Sequence, residues 1–453
     1  MSLSEQRSMA SARRITASPV WAAARLTLLA CAAVLAGCSS RNDPGAIHLV
    51  VEQRLMEPLG ASLTQLTADL EAEGYAVTLD GALGADASPQ AIRAQLQQRW
   101  HEARQLRGAI LIGEFGAPFY NIPSQQGDPY WHDHLVDLYY MDLDGDWSDS
   151  DGNGVLDTHR AFGGGLPMRA LSWLAARLPL GLDRREPELW VSRIRAGTLE
   201  PLGDEITLYR DYFARNHAYR TGGERSAPKR AFQSAVSARF STSGWGARPK
   251  QLYDDVEIQE CTTPAAEPLR QHLKDPRGWA LGIVGSFSGP QVHKFHVYEG
   301  GGFDEAWFDA REGHRLIAEY SLLEHAPWDV TSREVATLAP HVLFYQILSS
   351  ETGRHDQTGY LGGAYLFFGW GLAVIAGTQH SGAIGVPVLY DEIEQGLTIG
   401  DAWRNAIAWS MRHARSGMQF QWCDRTEPYN PSVDVYKAVL LGDGTLHLPR
   451  GRD

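Results

Sequence analysis

The fold of this chain is indicated most clearly by residues 47–81, which read IHLVVEQRLMEPLGASLTQLTADLEAEGYAVTLDG. The opening run of apolar residues predicts a buried strand. The middle of the stretch predicts a helix that carries Leu63, Leu66 and Leu70 on one face and ends at Gly74. The last seven residues predict a second strand. This order of elements is typical of parallel strands joined by a crossover helix.

The same alternation continues beyond this stretch. Residues 88–104 predict a helix with Ser88 as its N-cap and Pro89 at its first helical position. Residues 108–114, which read GAILIGE, predict a third strand. The sequence therefore predicts an α/β fold, in which ligands lie beyond the carboxyl ends of the strands.

A second block of elements begins near residue 227. Its predicted strands are 279–287, 342–348 and 371–378, and its predicted helices are 360–369 and 401–414, the last with Asp401 as its N-cap. At roughly 100–200 residues per domain, this length suggests two or three packed units. We therefore predict two adjacent α/β subdomains with mainly parallel sheets, at residues 46–226 and 227–453.

The first 38 residues carry the features of a secretion signal. Arginines precede the apolar run 26–36, which has signal-peptide length, about 7–15 residues, and is shorter than the roughly 20 residues that span a bilayer. The run ends in LAGC, which resembles a bacterial lipobox whose cysteine, here Cys38, becomes lipidated. Ser39 differs from the aspartate that retains lipoproteins at the inner membrane, so the resemblance favours the outer membrane. A plain secretory signal remains the alternative, and residues 39–45 form a polar tether in either case.

The charge of the chain argues against one broad class of partner. The formal charge is −13, and the first 38 residues contribute four arginines against one glutamate, so the remainder carries −16. Nucleic-acid binding needs clustered lysine and arginine side chains. We therefore expect no nucleic-acid partner, and we expect membrane contact only through the lipid anchor in the bacterial cell envelope.

Two cysteines, Cys261 and Cys423, remain in the body of the chain. In an oxidising compartment they could form one disulfide. Their spacing does not distinguish that pairing from two separate buried thiols, so both interpretations stay open.

The strongest chemical signal is the acidic stretch at residues 141–157, which reads MDLDGDWSDSDGNGVLD. Oxygen-bearing side chains this close together repel one another unless a hard cation gathers them, and Ca²⁺ takes about 6–8 oxygen ligands. The stretch therefore predicts a structural Ca²⁺ site, with a second ion and an ion-free acidic turn as open alternatives. The predicted ligands are Asp142, Asp144, Asp146, Asp149, Asp151, Asn153 and Asp157.

Part of this stretch follows the start of an EF-hand loop. Asp149, Asp151 and Asn153 occupy the first, third and fifth positions of that loop, and Asp157 occupies the ninth. The twelfth position is Arg160 instead of glutamate, so the loop is not a complete EF-hand. A weaker signal, WHDH at residues 131–134, lacks the two further ligands that a zinc site needs.

Several segments together resemble the gingipain-type cysteine peptidases, a caspase-like α/β family. The segments run in the family's order and cover most of the chain from about residue 46 to residue 450. The resemblance implies a caspase-like fold, Ca²⁺ in the acidic stretch, and a site for a cysteine and a histidine after two strands. The segments are GAILIGE (108–114), DLYYMDLDGDWSDSDGNGVLD (137–157), PELWVSRI (187–194), YLGGAYLFFGWGLAVIAGTQHSGAI (360–384) and LGDGTLHL (441–448).

Other residues occupy the two catalytic positions of that family. The family's cysteine follows a strand like VLFYQIL, so its position falls on Ser349, or on Ser350 if the turn shifts by one residue. The family's first histidine falls on Phe287 in the segment FSGPQVH, while the second is present as His293. A serine hydroxyl is a far weaker nucleophile than a thiolate and needs an adjacent base. The resemblance therefore implies a divergent member that lacks the catalytic Cys and His.

Two functions follow from these residues. The first is an inactive peptidase homologue that binds a peptide or protein in the remaining cleft, with Trp245, Trp328 and Trp370 as candidate groove residues. The second is an active peptidase in which Ser349 or Ser350 attacks the substrate. The candidate bases for that alternative are His293, His341 and His380, with Asp356 orienting the base.

Overall fold

A computed structural model of the chain describes residues 44–103, 105–121, 133–160, 186–235, 249–259, 266–295, 329–379, 387–412, 419–421, 426–428 and 435–451. The strands are β1 (Ala46–Val51), β2 (Ala76–Asp80), β3 (Leu106–Ile112), β4 (Phe119–Tyr120), β5 (His134–Leu135), β6 (Asp146–Ser148), β7 (Thr158–Arg160), β8 (Trp190–Ile194), β9 (Arg230–Ala235), β10 (Asp255–Ile258), β11 (Trp279–Gly285), β12 (Phe287–Gly289), β13 (Val292–Lys294), β14 (Asp329–Thr331), β15 (Val342–Ile347), β16 (Ala373–Gly377), β17 (Gln419–Gln421), β18 (Thr426–Pro428) and β19 (Ala438–Gly442). The helices are α1 (Gly60–Ala72), α2 (Pro89–Glu102), α3 (Leu138–Met141), α4 (Glu205–Ala218), α5 (Glu224–Ser226), α6 (Pro249–Leu252), α7 (Ala266–Lys274), α8 (Ser332–Leu338), α9 (Leu361–Phe367), α10 (Pro387–Glu394) and α11 (Ile399–Arg412). Within the described ranges, no helix combines the length and the apolar character that crossing a lipid bilayer requires.

One large sheet of ten strands runs through both predicted subdomains, in the order β10-β9-β11-β15-β16-β19-β8-β3-β1-β2. Most neighbouring strands are parallel, and β16 and β19 are antiparallel. The prediction of a mainly parallel α/β fold is confirmed. The strands from residues 46–226 are neighbours on one side, and they meet the strands from residues 227–453 where Leu441 of β19 lies beside Arg193 of β8.

The stretch that indicated the fold forms the predicted strand, helix and strand. Residues Ile47–Val51 of β1 are all buried, and β1 pairs in parallel with both β2 and β3. A continuous apolar run is typical of a strand that is covered on both faces. The predicted helix face is also confirmed, because Leu63, Leu66 and Leu70 are buried.

One predicted helix cap is confirmed and one is wrong. The Ala91 amide donates to the Ser88 hydroxyl at 3.2 Å, and Pro89 begins α2 as predicted. Helix α11 begins at Ile399, before the predicted cap Asp401. The Asp401 amide donates to the Thr398 hydroxyl at 3.2 Å, so Thr398 caps this helix. Threonine supplies the same kind of acceptor at a helix N-terminus as aspartate does.

The carboxyl ends of several strands from both parts of the chain meet at one edge of the sheet, which we call the carboxyl edge. The Gly353 amide donates to the Gly377 carbonyl at the end of β16, at 2.6 Å. Nearby, Arg195, just after β8, lies 3.2 Å from the His355 ring nitrogen Nδ1. The opposite, amino edge contains Trp190, the first residue of β8. This arrangement gathers the loops after β8, β15 and β16 into one region.

Candidate functional site

The serines predicted from the sequence lie at the carboxyl edge, directly after the buried strand β15. Ser286 lies beside them because it follows the neighbouring strand β11. The Ser286 amide donates to the Ser349 hydroxyl oxygen at 2.9 Å. The two hydroxyl oxygens of Ser286 and Ser349 are 3.0 Å apart. The sequence prediction overlooked Ser286, which no local motif distinguishes.

An imidazole completes a chain of hydrogen bonds from these hydroxyls. The Nδ1 atom of His293 lies 2.6 Å from the Ser286 hydroxyl oxygen. We call Ser349, Ser286 and His293 the hydroxyl–imidazole chain. Ser349 is 1% exposed, His293 is 0% exposed and Ser286 is 7% exposed, so all three residues are buried. His293 reaches Ser349 only through Ser286 in these contacts.

The surroundings of His293 keep its imidazole neutral. Burial lowers the pKa of His293 to about 3, because the charged form loses its hydration. The rings of Phe295 and Tyr365 lie 5.9 Å and 5.7 Å from the imidazole, measured between ring centroids. Among the described residues, the Nε2 atom of His293 has no hydrogen-bond partner. None of the described residues therefore supplies the carboxylate that orients and stabilises the base of a catalytic triad.

The turn after β15 holds Ser349 and Ser350 in different environments. Glu351 has a φ of 57°, an uncommon value for a residue other than glycine. Its amide donates to the Gln379 carbonyl at 3.3 Å, and the Gly353 amide also bonds to the end of β16, so tertiary contacts support this turn. Ser349 points inward to Ser286, whereas Ser350 is 9% exposed. Both serines are therefore largely buried, Ser349 more completely than Ser350.

The histidine position of the gingipain resemblance falls on β12. The backbone of Phe287 pairs with Lys294 of β13 in the small sheet β12-β13-β14. The side chain of Phe287 lies outside the described part of the structure, as do His380, Trp245 and Trp328.

Two residues proposed for the crevice lie elsewhere. His341 immediately precedes β15, and its carbonyl accepts from the Trp279 amide at the start of β11. The ring of His341 stacks on Trp370, with ring centroids 4.3 Å apart. Both residues therefore lie at the amino edge, so His341 is wrong as a base for Ser349 and Trp370 is wrong as a groove residue. The predicted strands 342–348 and 371–378 already place His341 and Trp370 at amino ends, because each residue immediately precedes its strand.

Asp356 does not orient any of the described histidines. Arg354 binds its two carboxylate oxygens at 2.8 Å each. Its sequence neighbour His355 instead accepts from Arg195. Burial, followed by the charges of Arg193 and Arg195, lowers the pKa of His355 well below its ordinary value.

A buried ion pair supports the loop beneath this crevice. Arg193 binds both carboxylate oxygens of Asp137, at 2.7–3.0 Å. The same guanidinium donates to the Phe115 carbonyl at 2.7 Å and to the Gly116 carbonyl at 3.3 Å. Arg193 is 1% exposed, so these acceptors inside the protein take the place of water around its charge. The pair fixes the chain that follows β3 at the carboxyl edge.

The acidic stretch separates into two clusters of carboxylates. Asp142, Asp144 and Glu188 form one cluster, and Asp149, Asp151 and Asp157 form the other. Within each cluster, one oxygen of every residue lies within 4.8 Å of the others. Carboxylates gathered this closely favour a cation between them.

The first cluster contains a ligand candidate that the sequence prediction missed. The Glu188 amide donates to the Met141 carbonyl at 2.9 Å, which brings Glu188 beside the acidic stretch from its distant position in the chain. Burial, and then the charges of Asp142 and Asp144, raises the pKa of Glu188 to about 7. Asp146, by contrast, lies on β6 and belongs to neither of the two clusters.

The second cluster is organised by backbone amides. Asp149 accepts from the amides of Gly152 and Gly154, each at 2.7 Å. Asn153 accepts from the Val155 amide at 2.7 Å. Gly152 and Gly154 have φ values of 75° and 89°, which glycine adopts without strain. These bonds fold the predicted EF-hand-like segment into a tight loop with its carboxylates on one side.

Two contacts tie the acidic stretch to the rest of the protein. Arg93 of α2 donates to the carbonyls of Tyr139, Asp142 and Gly145, at 2.8–2.9 Å. The Nε2 atom of His159 lies 2.7 Å from the Asp142 carboxylate. The weak zinc signal gains no support, because among the described residues His134 belongs to neither carboxylate cluster. His132, Cys261 and Cys423 lie outside the described ranges.

Comparison with known proteins identifies solved structures that have a similar fold. Two solved structures are similar to the chain, each with a TM-score of 0.54 and 11% sequence identity. One is the Arg-specific cysteine proteinase gingipain R (RgpB), and it matches over 91% of this chain and 81% of that chain. The other is a complex of the Porphyromonas gingivalis RgpB pro- and mature domains, matched over 90% of this chain and 81% of that chain. No family model and no curated protein sequence matches.

These likenesses define the class of fold. The chain has a gingipain-like, caspase-like α/β fold, as the resemblance of its segments predicted. At 11% identity, the likeness concerns the fold, and function has to be argued from the site.

Proposed function

We propose that this protein uses a gingipain-like fold to bind a peptide or protein segment and does not cleave it by cysteine-peptidase chemistry. The observation that carries the proposal is the inward orientation of Ser349. Its hydroxyl is engaged by the Ser286 amide at 2.9 Å and is closed to solvent. A nucleophile has to reach a substrate carbonyl and pass its proton to a base.

The base required for that chemistry is also unsuitable. A general base works best when its pKa lies near the operating pH. The pKa of His293 is lowered to about 3 by burial, so its imidazole is a weak proton acceptor at neutral pH. Its Nδ1 atom contacts Ser286 instead of Ser349 or Ser350, the two predicted nucleophiles. The arrangement supports a structural role for the hydroxyl–imidazole chain.

The alternative is an active peptidase with a rearranged serine–histidine site. The distance of 2.6 Å between the Ser286 hydroxyl and His293 favours this alternative, because an activated serine needs such a contact. In that case Ser286 would be the attacking residue, and a movement of the surrounding chain would have to expose it.

A cleavage assay separates these two functions. The purified protein is incubated with Ca²⁺ and a broad peptide library, and new peptide ends are counted by mass spectrometry. We expect no cleavage above that of a sample without protein, and we expect Ser286→Ala and Ser349→Ala to behave identically to the parent. Cleavage that either substitution abolishes would establish the alternative. Capture of library peptides without their cleavage would support the binding function directly.

We also propose that the two carboxylate clusters hold Ca²⁺ in a structural role. In one site the ligands would be Asp142, Asp144 and Glu188. In the other they would be Asp149, Asp151 and Asp157, with Asn153 beside them. Hard carboxylate and amide oxygens are the donors that Ca²⁺ prefers. The bound ion would offset the repulsion between the clustered carboxylates and thereby stabilise the loop.

We further propose that the protein is held at the bacterial outer membrane by a lipid on Cys38. The support comes from the sequence, since residues 1–43 lie outside the described ranges. In a bacterial host that processes lipoproteins, Cys38→Ser should move the protein from the membrane fraction to the soluble fraction. The matched control is Cys31→Ser, which should leave the protein in the membrane fraction. Equal fractionation of the Cys38 variant and the parent would contradict the anchor.

A further inference from the structure

The two halves of the large sheet share little backbone pairing where they meet. β8 pairs with β3 along its whole length, whereas among the described strands β19 meets β8 in register only at Leu441 and Arg193. At the amino edge, side chains reinforce this junction, because Asp443 accepts from Asn216 at 2.9 Å and from Arg220 at 2.6 Å. The carboxyl edge of the junction is reinforced by a different set of side chains.

Three side chains cross the junction at the carboxyl edge, and we call them the junction clasp. They are Asp142 and His159 from the first half and Tyr436 from the second. The Nε2 atom of His159 lies 2.7 Å from the Oδ2 atom of Asp142, and its Nδ1 atom lies 2.8 Å from the Tyr436 hydroxyl oxygen. A carboxylate only accepts hydrogen bonds, so Nε2 carries a proton and donates to Asp142. In the neutral imidazole, Nδ1 then accepts from the Tyr436 hydroxyl.

Aromatic rings from both halves confine the imidazole of the clasp. Trp147 and His159 are partners in the β6–β7 pair, and their rings stack with centroids 3.8 Å apart. Tyr120 stacks on Tyr436 with centroids 4.8 Å apart, and its ring meets that of Trp147 edge-on at 5.7 Å. The side chain of His159 is 2% exposed. Packing on this scale holds the ring in one orientation, with Nε2 toward Asp142.

The clasp ends on a proposed Ca²⁺ ligand. Asp142 belongs to the cluster with Asp144 and Glu188, and its side chain is 2% exposed. Gly145 leaves room for this carboxylate, since an added Cβ atom there would lie 2.6 Å from Oδ2. His159 engages Oδ2, so the carboxylate keeps further lone pairs for a cation. A hydrogen-bond partner that orients a metal ligand typically changes metal affinity by about 10–100-fold when it is lost.

The other end of the clasp lies in the short turn Val435–Lys437, which leads directly into β19. The Lys437 carbonyl accepts from the Thr378 amide, just after β16, at 2.7 Å. The Thr378 hydroxyl donates to the Leu135 carbonyl of the first half at 2.8 Å. Holding Tyr436 in place therefore holds the start of β19 against the first half.

We propose that His159 and Tyr436 are positioning residues for the Asp142 ligand, and that Ca²⁺ binding at this cluster thereby tightens the junction between the two halves of the sheet. The inference rests on the proposed Ca²⁺ site of Asp142, Asp144 and Glu188. His159 fixes the direction of the Asp142 carboxylate, and Tyr436 fixes the tautomer and orientation of His159. Ion binding in the first half is thus coupled to the order of the turn Val435–Lys437 in the second.

Calcium affinity tests the positioning role. Calorimetric titration is carried out on the full chain with Asp149→Asn and Asp151→Asn, so that the other cluster does not contribute. We expect His159→Ala to weaken Ca²⁺ by about 10–100-fold and Tyr436→Phe by roughly threefold to tenfold. His159→Gln should restore most of the affinity, because its amide nitrogen can donate to Asp142 as Nε2 does.

Two matched controls and a folding test accompany this titration. His101→Ala removes an exposed histidine of α2, and Tyr219→Phe removes a hydroxyl that donates to the His447 carbonyl at the amino edge. Both should bind Ca²⁺ as the background protein does. Thermal unfolding in a chelator shows that each variant is folded. Tyr436→Phe removes a single oxygen atom, so it decides the question if His159→Ala does not fold.

Hydrogen–deuterium exchange tests the coupling across the junction. In the background protein, Ca²⁺ should slow the exchange of amides in residues 435–442 by severalfold, and Tyr436→Phe should lose most of this protection. If the background protein binds no Ca²⁺, both the calcium site and this inference are wrong. If it binds Ca²⁺ but folded Tyr436→Phe retains full affinity, or if residues 435–442 gain no protection, the calcium site stands and the inference is overturned.

Discussion

Replacing Arg193 with methionine should lower the free energy of unfolding by about 3–5 kcal/mol. The substitution removes a guanidinium that binds Asp137 through both carboxylate oxygens and leaves that carboxylate buried without its partner. It also removes the donor to the Phe115 carbonyl. The measurement is equilibrium unfolding in urea, compared between the variant and the parent.

The matched control for this prediction is Arg277→Met. Arg277 pairs with Asp275, but 66% of its side chain is exposed, and ion pairs exposed to solvent contribute little to stability. The double variant Arg193→Met with Asp137→Leu should recover part of the loss, because it removes both buried charges together. If Arg193→Met is no less stable than Arg277→Met, the buried pair does not support the carboxyl edge as described.

Calcium should have the second large effect. At a free Ca²⁺ concentration 100 times the Kd, a single bound ion should stabilise the folded protein by about 2.7 kcal/mol. The expected observation is a higher melting temperature in Ca²⁺ than in a chelator, because the ion neutralises carboxylates that otherwise repel one another. Identical melting in both solutions would contradict the proposed sites.

Substitutions distinguish the two calcium sites. The double variant Asp149→Asn with Asp151→Asn should lose the stabilisation that Ca²⁺ provides at the EF-hand-like cluster. Glu188→Gln should lose the stabilisation that Ca²⁺ provides at the cluster of Asp142, Asp144 and Glu188. The control is Asp86→Asn, at an exposed aspartate outside both clusters, which should retain the full effect of Ca²⁺. A full calcium effect in both cluster variants would show that the ion binds elsewhere.

The fold could be predicted from the sequence because its signals are local. The burial of Ile47–Val51 and the cap at Ser88 follow from residue types within a few positions of each other. The order of the gingipain-like segments predicted the same class of fold that the solved structures show by shape. The misplaced cap at Asp401 is a small error of the same local kind, since Thr398 offered an equivalent acceptor three residues earlier.

The site could be predicted only in part, because its contacts are long-range. Ser286 and Ser349 are far apart in the chain and meet because β11 and β15 are neighbours in the sheet. Glu188 joins Asp142 in the same way, through the packing of the segment before β8. A sequence shows that such residues exist, but the strand order decides which of them meet. His341 fails for a local reason, because it lies at the opposite end of β15 from Ser349.

The central claim is that the crevice at the carboxyl edge holds no working peptidase pair. The most direct test compares the parent protein with Phe287→His combined with Ser350→Cys, and with Phe287→His combined with Ser349→Cys, on one peptide library in the presence of Ca²⁺. We expect no cleavage by the parent protein. We expect thiol-dependent cleavage by one of the two double variants, and the active one identifies the position that corresponds to the family's cysteine. Cleavage by the unmodified protein that is lost in Ser286→Ala would contradict it.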